Sequence, residues 1–511
     1  MTSPAPAGPS RRTVLAGGVA AVGSAAVTGV AARPAFAAPP PDDPFTLGVA
    51  SGDPRPDGVT LWTRLAPDPL AADGGMAPRD VLVVWQVAED ESFADPVRSG
   101  SVRATAGEAH SVHVDVTGLD PDRVYFYRFR AGRYLSRTGR TRTFPAPGAA
   151  VRSLRFATFS CQNLPVGHFV AYRHAAQQDL DVVLHLGDYI YEAAGPASPP
   201  AGPDRRHAPF ETVDTLEGYR IRHAQYRTDP DLQDAHAAFP FVVVPDDHEV
   251  VNNQNESTRA ARRAAAYQAY WEHMPLRASA RPSGSSIPLF RSLDYGRLAT
   301  FDMLDTRQYR SVQLPGPTFQ ALPPEAFDPT RTILGAEQEQ WLFDRLSGSG
   351  ASWNLLAQQV YLAALDMEPG PVEAYNTDKW DGYPVARERL TRFLHGAAVP
   401  NPVVLAGDVH AAMVNDVTLS YGDRPVVASE LLGSSVTSGK GNNALFEAAL
   451  PENPEMLFYN GRQRGYLTCE VTPDALRGDL WFADDVLDRA SAVRRQASYV
   501  VLDGVRGALE V

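Results

Sequence analysis

Two textures of hydrophobic patterning divide the chain. Between Asp43 and Pro145, short alternating runs (GVTLWTRL, VLVVWQVA, HSVHVDVTGL, VYFYRFRAG) are broken by turn pairs such as Asp53-Pro54, Asp57-Gly58 and Asp120-Pro121. Alternation over strand length with turns at this spacing predicts half-buried antiparallel strands and an all-β sandwich. Pro145-Ala146-Pro147-Gly148 reads as a linker. From Arg152 the runs become continuous: LRFATFS, VVLHLG, FPFVVVP and VVLAG have the pattern of strands buried on both faces. Helical spacing lies between them at 218–234, 259–273, 336–347 and 387–394, so this second segment is predicted to be layered α/β. Ala193 to Pro209 and Gln313 to Asp328, both Pro-rich, are predicted surface loops.

Each continuous run stops at side chains able to bind metal. LRFATFS runs into Cys161, VVLHLG into Asp188-Tyr189-Ile190-Tyr191, FPFVVVP into Asp246-Asp247-His248-Glu249, and VVLAG into Asp408-Val409-His410. Taken singly these are weak signals. Gly187-Asp188 fits a turn, Asp246 and Asp247 fit helix caps, and Cys161 fits a buried thiol or a partner for Cys469. Taken together they are not, because a parallel sheet gathers groups at its carboxyl edge and core or capping residues have no reason to cluster there. The pattern predicts a metal centre doing hydrolytic chemistry. Carboxylates and a phenolate are hard donors, whereas a thiolate beside a tyrosinate supplies the anionic charge that suits a trivalent ion. A mixed centre is expected, with one highly charged metal and one or more divalent ones.

The chain opens on Ser10-Arg11-Arg12-Thr13-Val14-Leu15, an alanine-rich apolar stretch, and the A-x-A site Ala35-Phe36-Ala37. Paired arginines ahead of such a stretch predict a twin-arginine signal over residues 1–37, a secreted product, and the twin-arginine export machinery as partner. No later apolar stretch is long enough to span a bilayer, so no stable membrane anchor is expected. The net charge is −13 and becomes more acidic when the three leader arginines go, which argues against a nucleic-acid-binding surface. It does not argue against a phosphate site, since bound cations reverse the local field. Two cysteines cannot make a disulfide framework.

Further detail comes from resemblance. The turn Gly118-Leu119-Asp120-Pro121 followed by Tyr125, Tyr127 and Phe129 resembles a fibronectin-type or immunoglobulin-like module. Cys161-Gln162-Asn163, Gly187-Asp188-Tyr189-Ile190-Tyr191-Glu192, Asp246-Asp247-His248-Glu249, Leu304-Asp305-Thr306-Arg307-Gln308-Tyr309-Arg310, Trp380-Asp381-Gly382-Tyr383-Pro384 and Gly407-Asp408-Val409-His410 together resemble the PhoD-type alkaline phosphatases. Leu432 to Ser438 and the leader extend the likeness over nearly the whole chain. The resemblance implies a β-sandwich domain over 43–146 and a four-layer αββα metallophosphatase domain over 150–505. It also implies ferric iron and calcium. Cys161, Asp188 and Tyr191 are similar to the iron ligands, Asp188 also bridging to calcium, while Asp247, Asp408 and His410 complete the metal shell.

Against the broader metallophosphoesterases, Cys161, Tyr191, Asp247 and Asp408 stand where other ligand types are usual, which puts a two-zinc or two-manganese centre in doubt. The implied activity is secreted hydrolysis of phosphate mono- and diesters, on small-molecule or lipid substrates, by attack of a metal-activated hydroxide on phosphorus. Release of inorganic phosphate would follow. A secreted phospholipase D or other phosphodiesterase on the same centre is the alternative. His248 takes a general-acid position and Arg307 a phosphoryl-holding one, unless Arg307 pairs locally with Asp302 or Asp305. Asn252, Asn253, Gln358 and Tyr383 are candidate supporting residues, with Asn252 a candidate for substrate binding.

Overall fold

The computed structural model describes residues 42–421, 423–439 and 442–511. The expected signal at 1–37 lies outside the described residues.

Two large sheets carry the molecule. In the first, Leu154–Phe159, Val182–His185 and Pro240–Val243 run parallel at the centre. Gly465–Val471, Ala475–Ala483, Val493–Leu502 and Leu509–Glu510 extend one edge, antiparallel. In the second sheet Ala299–Met303, Trp353–Ala357, Pro402–Ala406 and Asp423–Leu432 run parallel, flanked by Arg291–Tyr295, Ala412–Ser420 and Met456–Asn460.

Side-chain alternation explains how the sheets meet. Leu154, Phe156, Val182, Leu184 and Val242 of the first sheet share one buried cluster with Phe301, Met303, Leu355, Val403 and Leu405 of the second. Each such buried Leu, Val or Phe contributes about 1.5–3 kcal/mol relative to exposure. The intervening positions, Ala157, Phe159, Val183, Phe241 and Val243, face the other way, into a cluster with Tyr219, Tyr226, Tyr267 and Tyr270 from the helices Leu216–Arg227 and Ala260–His273. On the far face of the second sheet, Leu356 and Val404 meet Leu342 and Leu346 of Gly335–Ser347 and Leu390 and Leu394 of Pro384–Gly396. Burial on both faces is what the continuous apolar runs demanded.

The helix expected over 218–234 is two helices. Leu216–Arg227 ends before Asp229, and Pro230–Ala238 starts after it. Pro230 has no N–H to continue the first helix, and the Asp229 side chain accepts the Leu232 N–H at 3.1 Å, capping the second. The N-terminal strands divide between two sheets. Val81–Ala88, Arg98–Ala104, Val124–Ala131, Tyr134–Leu135 and Gly139–Arg142 form a sheet of their own. Val49–Arg55, Gly58–Arg64 and Ser111–Thr117 instead complete the first large sheet, with Val49–Arg55 pairing parallel to Pro240–Val243. Val59, Leu61 and Val114 then pack against Val83, Val87, Tyr127 and Phe129. Among the described residues no helix is long and apolar enough to cross a membrane.

Candidate metal centre

The loops at the carboxyl ends of Val182–His185 and Pro240–Val243 in the first sheet and Pro402–Ala406 in the second line one cleft of about 310 Å³. Asp188, Asp247, His248, Asn252, Asn253, Asp408 and His410 line it, with Asp378 and Lys379. The strand-end loops leave regular geometry at the functional positions. Cys161, Asp188, Asp408 and His410 have φ of 59°, 57°, 59° and 57°. This left-handed region is costly for side chains other than glycine, and its concentration here is strain held for a purpose. At Gly187 (φ 107°) a Cβ would collide with Asp246, so glycine lets two of these loops touch. Cys161 and Gln162 donate their backbone N–H groups to the carbonyls of Gly187 and Asp188, both at 3.1 Å, locking a third loop beside them.

One half of the site is built from Cys161, Asp188, Tyr191 and His410. The Tyr191 hydroxyl donates to Asp188 Oδ2 at 2.8 Å, lies 3.1 Å from His410 Nε2, and has Ser438 Oγ 2.6 Å away. His410 Nδ1 faces the Gly439 carbonyl at 2.9 Å, which can only accept. The ring proton therefore sits on Nδ1 and Nε2 turns its lone pair inward, the arrangement a metal-binding histidine needs. Burial, then the Asp188 charge, pushes the Cys161 thiol and the Tyr191 phenol well above their usual ranges. A bound cation is the charge that would bring those protons off. Cys161 and Cys469 are both free and buried, so the thiol is not spent in a disulfide.

The other half gathers Asp246, Asp247, Asp378 and Asp408 around two protein cations. Arg307 donates from Nε to Asp246 Oδ1, from Nη1 to both Asp378 oxygens at 3.2 and 3.0 Å, and from Nη2 to Asp408 Oδ1 at 2.6 Å. Its pairing is with the site and not with Asp302, while Asp305 accepts only its backbone N–H at 3.0 Å. Lys379 Nζ bonds Asp378 Oδ2 at 3.1 Å and Asp408 Oδ2. Burial raises all four carboxyls, but neighbouring cationic groups outweigh it at three. Arg307 and His248 bring Asp247 down to about 2, and Lys379 with Arg307 lowers Asp408 and Asp378. Asp246 alone is left well above the carboxylate range.

Two buried glutamates hold the loops in register. Glu249 accepts the N–H groups of Asp188 at 3.1 Å, Tyr189 at 2.5 Å and Asp246 at 2.8 Å, so one carboxylate clamps both loops that carry ligands. Glu192 accepts from His248 Nδ1 at 2.7 Å and from the Asn252 N–H at 2.9 Å. Burial opposes the charged form of His248, but Asp188, Asp247 and Glu192 together hold its pKa well above the ordinary value.

The structure thus brings Cys161, Asp188, Tyr191, Asp247, His248, Asp408 and His410 to one place, with Asn252 on the cleft wall. Three groups, Cys161/Asp188/His410, Asp188/Asp247/His248 and Asp246/Asp247/Asp408, each present ligand atoms within 4.8 Å of one another. Their thiol, carboxylate and imidazole donors fit metal, with Asp188 and Asp247 each shared between groups. Arg307 arrives behind the carboxylates and does not line the cleft. Gln358 and Tyr383 also lie outside its wall, Gln358 accepting from Trp380 Nε1 at 3.0 Å and Tyr383 donating to the Ser311 carbonyl at 2.8 Å.

Sequence reasoning passed over Asp378 and Lys379, which follow no apolar strand but sit just before the Trp380-Asp381-Gly382-Tyr383 motif. It also passed over Glu192 and Glu249 as holders of the loops, and Thr318 and Phe319, delivered by the Pro-rich loop at Gln313 to Asp328. Their one signal was adjacency to motifs already noticed.

Comparison with known proteins agrees with this geometry. Residues 156–480 match the model of the PhoD-like phosphatase family, and residues 29–145 match that of the PhoD-like phosphatase N-terminal domain. Alkaline phosphatase D of Bacillus subtilis (strain 168) is 47% identical over 474 residues, covering 89% of this chain and 80% of that protein. A solved structure of PhoD superposes with a TM-score of 0.89 at 45% identity, over 93% of each chain. The chain belongs to the PhoD-like phosphatase family.

Proposed function

We propose that this member of the family is a secreted alkaline phosphatase that hydrolyses phosphate mono- and diesters in the cleft and releases inorganic phosphate. The observation that carries the reading is the convergence of three overlapping metal-binding groups on one small polar cleft. Ferric iron is assigned to Cys161, Asp188 and Tyr191, and calcium to the carboxylate half through Asp188, Asp247 and Asp408, with His410 completing the shell. When bound, such ions lower the pKa of water and neutralise the charge of the phosphoryl group.

The chain's own groups do the rest. His248 Nδ1 is held by the Glu192 carboxylate, which fixes the tautomer and leaves Nε2 as the proton donor for the departing ester oxygen. The Asn252 N–H on the same carboxylate places its side chain at the wall, where it meets substrate. Arg307 holds Asp246, Asp378 and Asp408 in fixed orientation, so the ligand oxygens need no rearrangement during turnover.

The same reading takes the fold as four layers, helices on the outer faces of two stacked sheets, supported by the three buried clusters. It takes residues 43–146 as an immunoglobulin-like sandwich domain, three of whose strands also complete the first large sheet, ahead of a catalytic domain over 150–505, and residues 1–37 as the twin-arginine leader. Rates on a phosphate monoester, a bis-ester and phosphatidylcholine test the activity. Phosphate release from the monoester supports it, and predominant choline release would sink it in favour of a phospholipase.

A further inference from the structure

The acidic half of the site contains two protein cations with unequal access to the cleft. The Arg307 side chain is 1% exposed, it does not line the cleft, and all three of its nitrogens already bond carboxylates, those of Asp246, Asp378 and Asp408. To reach a substrate it would have to give up a carboxylate. Lys379 is buried too, but it lines the cleft, with its ammonium against Asp378 and Asp408 of the same wall, and it is the one Lys or Arg among the described residues there. Two of its three N–H donors answer Asp378 and Asp408. That leaves one to turn into the cleft.

Composition sharpens the point. The chain carries 47 basic residues, and only two of them, Lys379 and Lys440, are lysine. A sequence that uses arginine almost everywhere for positive charge has a lysine at this wall. The chemistry explains it: a compact ammonium fits between two carboxylates and still presents a rotatable donor, whereas a planar guanidinium there would fork onto the carboxylates and fill the cleft. The backbone is held to match, because Asp378 accepts from Arg310 at 2.9 Å and the Asp378 N–H is taken by the Asn376 side chain at 3.0 Å.

We propose that Lys379 is the protein's own phosphate-binding cation, donating to a phosphoryl oxygen of the ester and then of the released inorganic phosphate, while Arg307 is a positioning residue for the carboxylates. The inference rests on the phosphatase reading and adds a substrate contact to it.

The test uses the full-length holoenzyme and its Lys379→Met, Lys379→Arg and Lys379→Ala variants. Metal content is measured in each, alongside calorimetric titration with inorganic phosphate and inhibition by it. Loss of one charge-assisted hydrogen bond predicts phosphate binding weakened about 10- to 100-fold in Lys379→Met with metal content retained. Lys379→Arg should be as poor, and methylammonium should restore part of the affinity of Lys379→Ala. Phosphate affinity within twofold of wild type in Lys379→Met, or full affinity in Lys379→Arg, overturns the proposal. Metal loss in all three variants does the same, by recasting Lys379 as a spacer between carboxylates. If wild-type protein hydrolyses no phosphate ester, it is the phosphatase reading that fails.

Discussion

The two halves of the site solve opposite electrostatic problems. Around Cys161 and Tyr191 burial and the Asp188 charge keep the thiol and phenol protonated. Around Asp247, Asp378 and Asp408 the carboxylates are already held in the charged form by Arg307, with His248 at Asp247 and Lys379 at Asp378 and Asp408. The thiol and phenol of the first half therefore give up their protons only to a bound cation, and the ion that repays two lost protons is a highly charged one. The second half has its charge largely balanced by the protein and asks for a smaller added charge, a divalent ion held through hard oxygens. Asp188 joins them, within ligand distance of groups in both.

That shared position makes Asp188 the residue whose loss should matter most. Asp188→Asn is expected to empty both halves and take turnover to background, as read by elemental analysis and phosphate release; a variant that kept either metal in full would break the comparison. Tyr191→Phe should separate the halves instead. Iron and any visible charge-transfer absorption should go while calcium stays, and a colourless, iron-free, fully active enzyme would contradict the assignment.

His248 lies at the boundary, and its variant should leave both metals in place. His248→Ala is expected to slow turnover by about 10²- to 10⁴-fold, most steeply for esters with poor leaving groups. Glu192→Gln, which disturbs the ring's orientation, should cost about 10- to 100-fold with the same leaving-group trend. Metal loss in either would recast His248 as a ligand.

The smallest effect lies outside both halves and serves as their control. Asp381 is fully buried, accepts from the Tyr421 hydroxyl at 3.0 Å, and is pushed up to about 7 by burial, Arg387 offsetting part of this. Between about pH 4 and 7 the unfolded chain has lost this proton and the folded one keeps it, so stability falls as pH rises, by roughly 1.4 kcal/mol per unit at most, and levels off above pH 7. Asp381→Asn should flatten that slope in denaturant titrations while leaving metal content and turnover unchanged.

What could be read from sequence followed from chain-local physics. Cys161, Asp188, Asp247 and Asp408 announced themselves because each ends an apolar strand, and a parallel sheet must bring such ends together. Asp378 and Lys379 arrive from a turn after Tyr375–Asn376, a two-residue strand whose partner, Phe319–Gln320, lies in a Pro-rich loop, so no periodicity pointed to them. Arg307 was legible as a site residue but not in its direction, since only the folded arrangement shows its guanidinium spent on three aspartates. The same holds for the N-terminal strands. Their alternation marks them as half-buried, but the pairing of Ser51 with Pro240 is a contact between distant segments that no local pattern encodes.

The central claim is that the halves hold different ions, and selective removal of calcium from the intact holoenzyme tests it most directly. Dialysis against a calcium-selective chelator, followed by elemental analysis, should strip calcium and activity while iron and the visible absorption remain, with activity returning on calcium addition. Iron and calcium leaving together, or a single kind of metal filling both halves, would contradict the account.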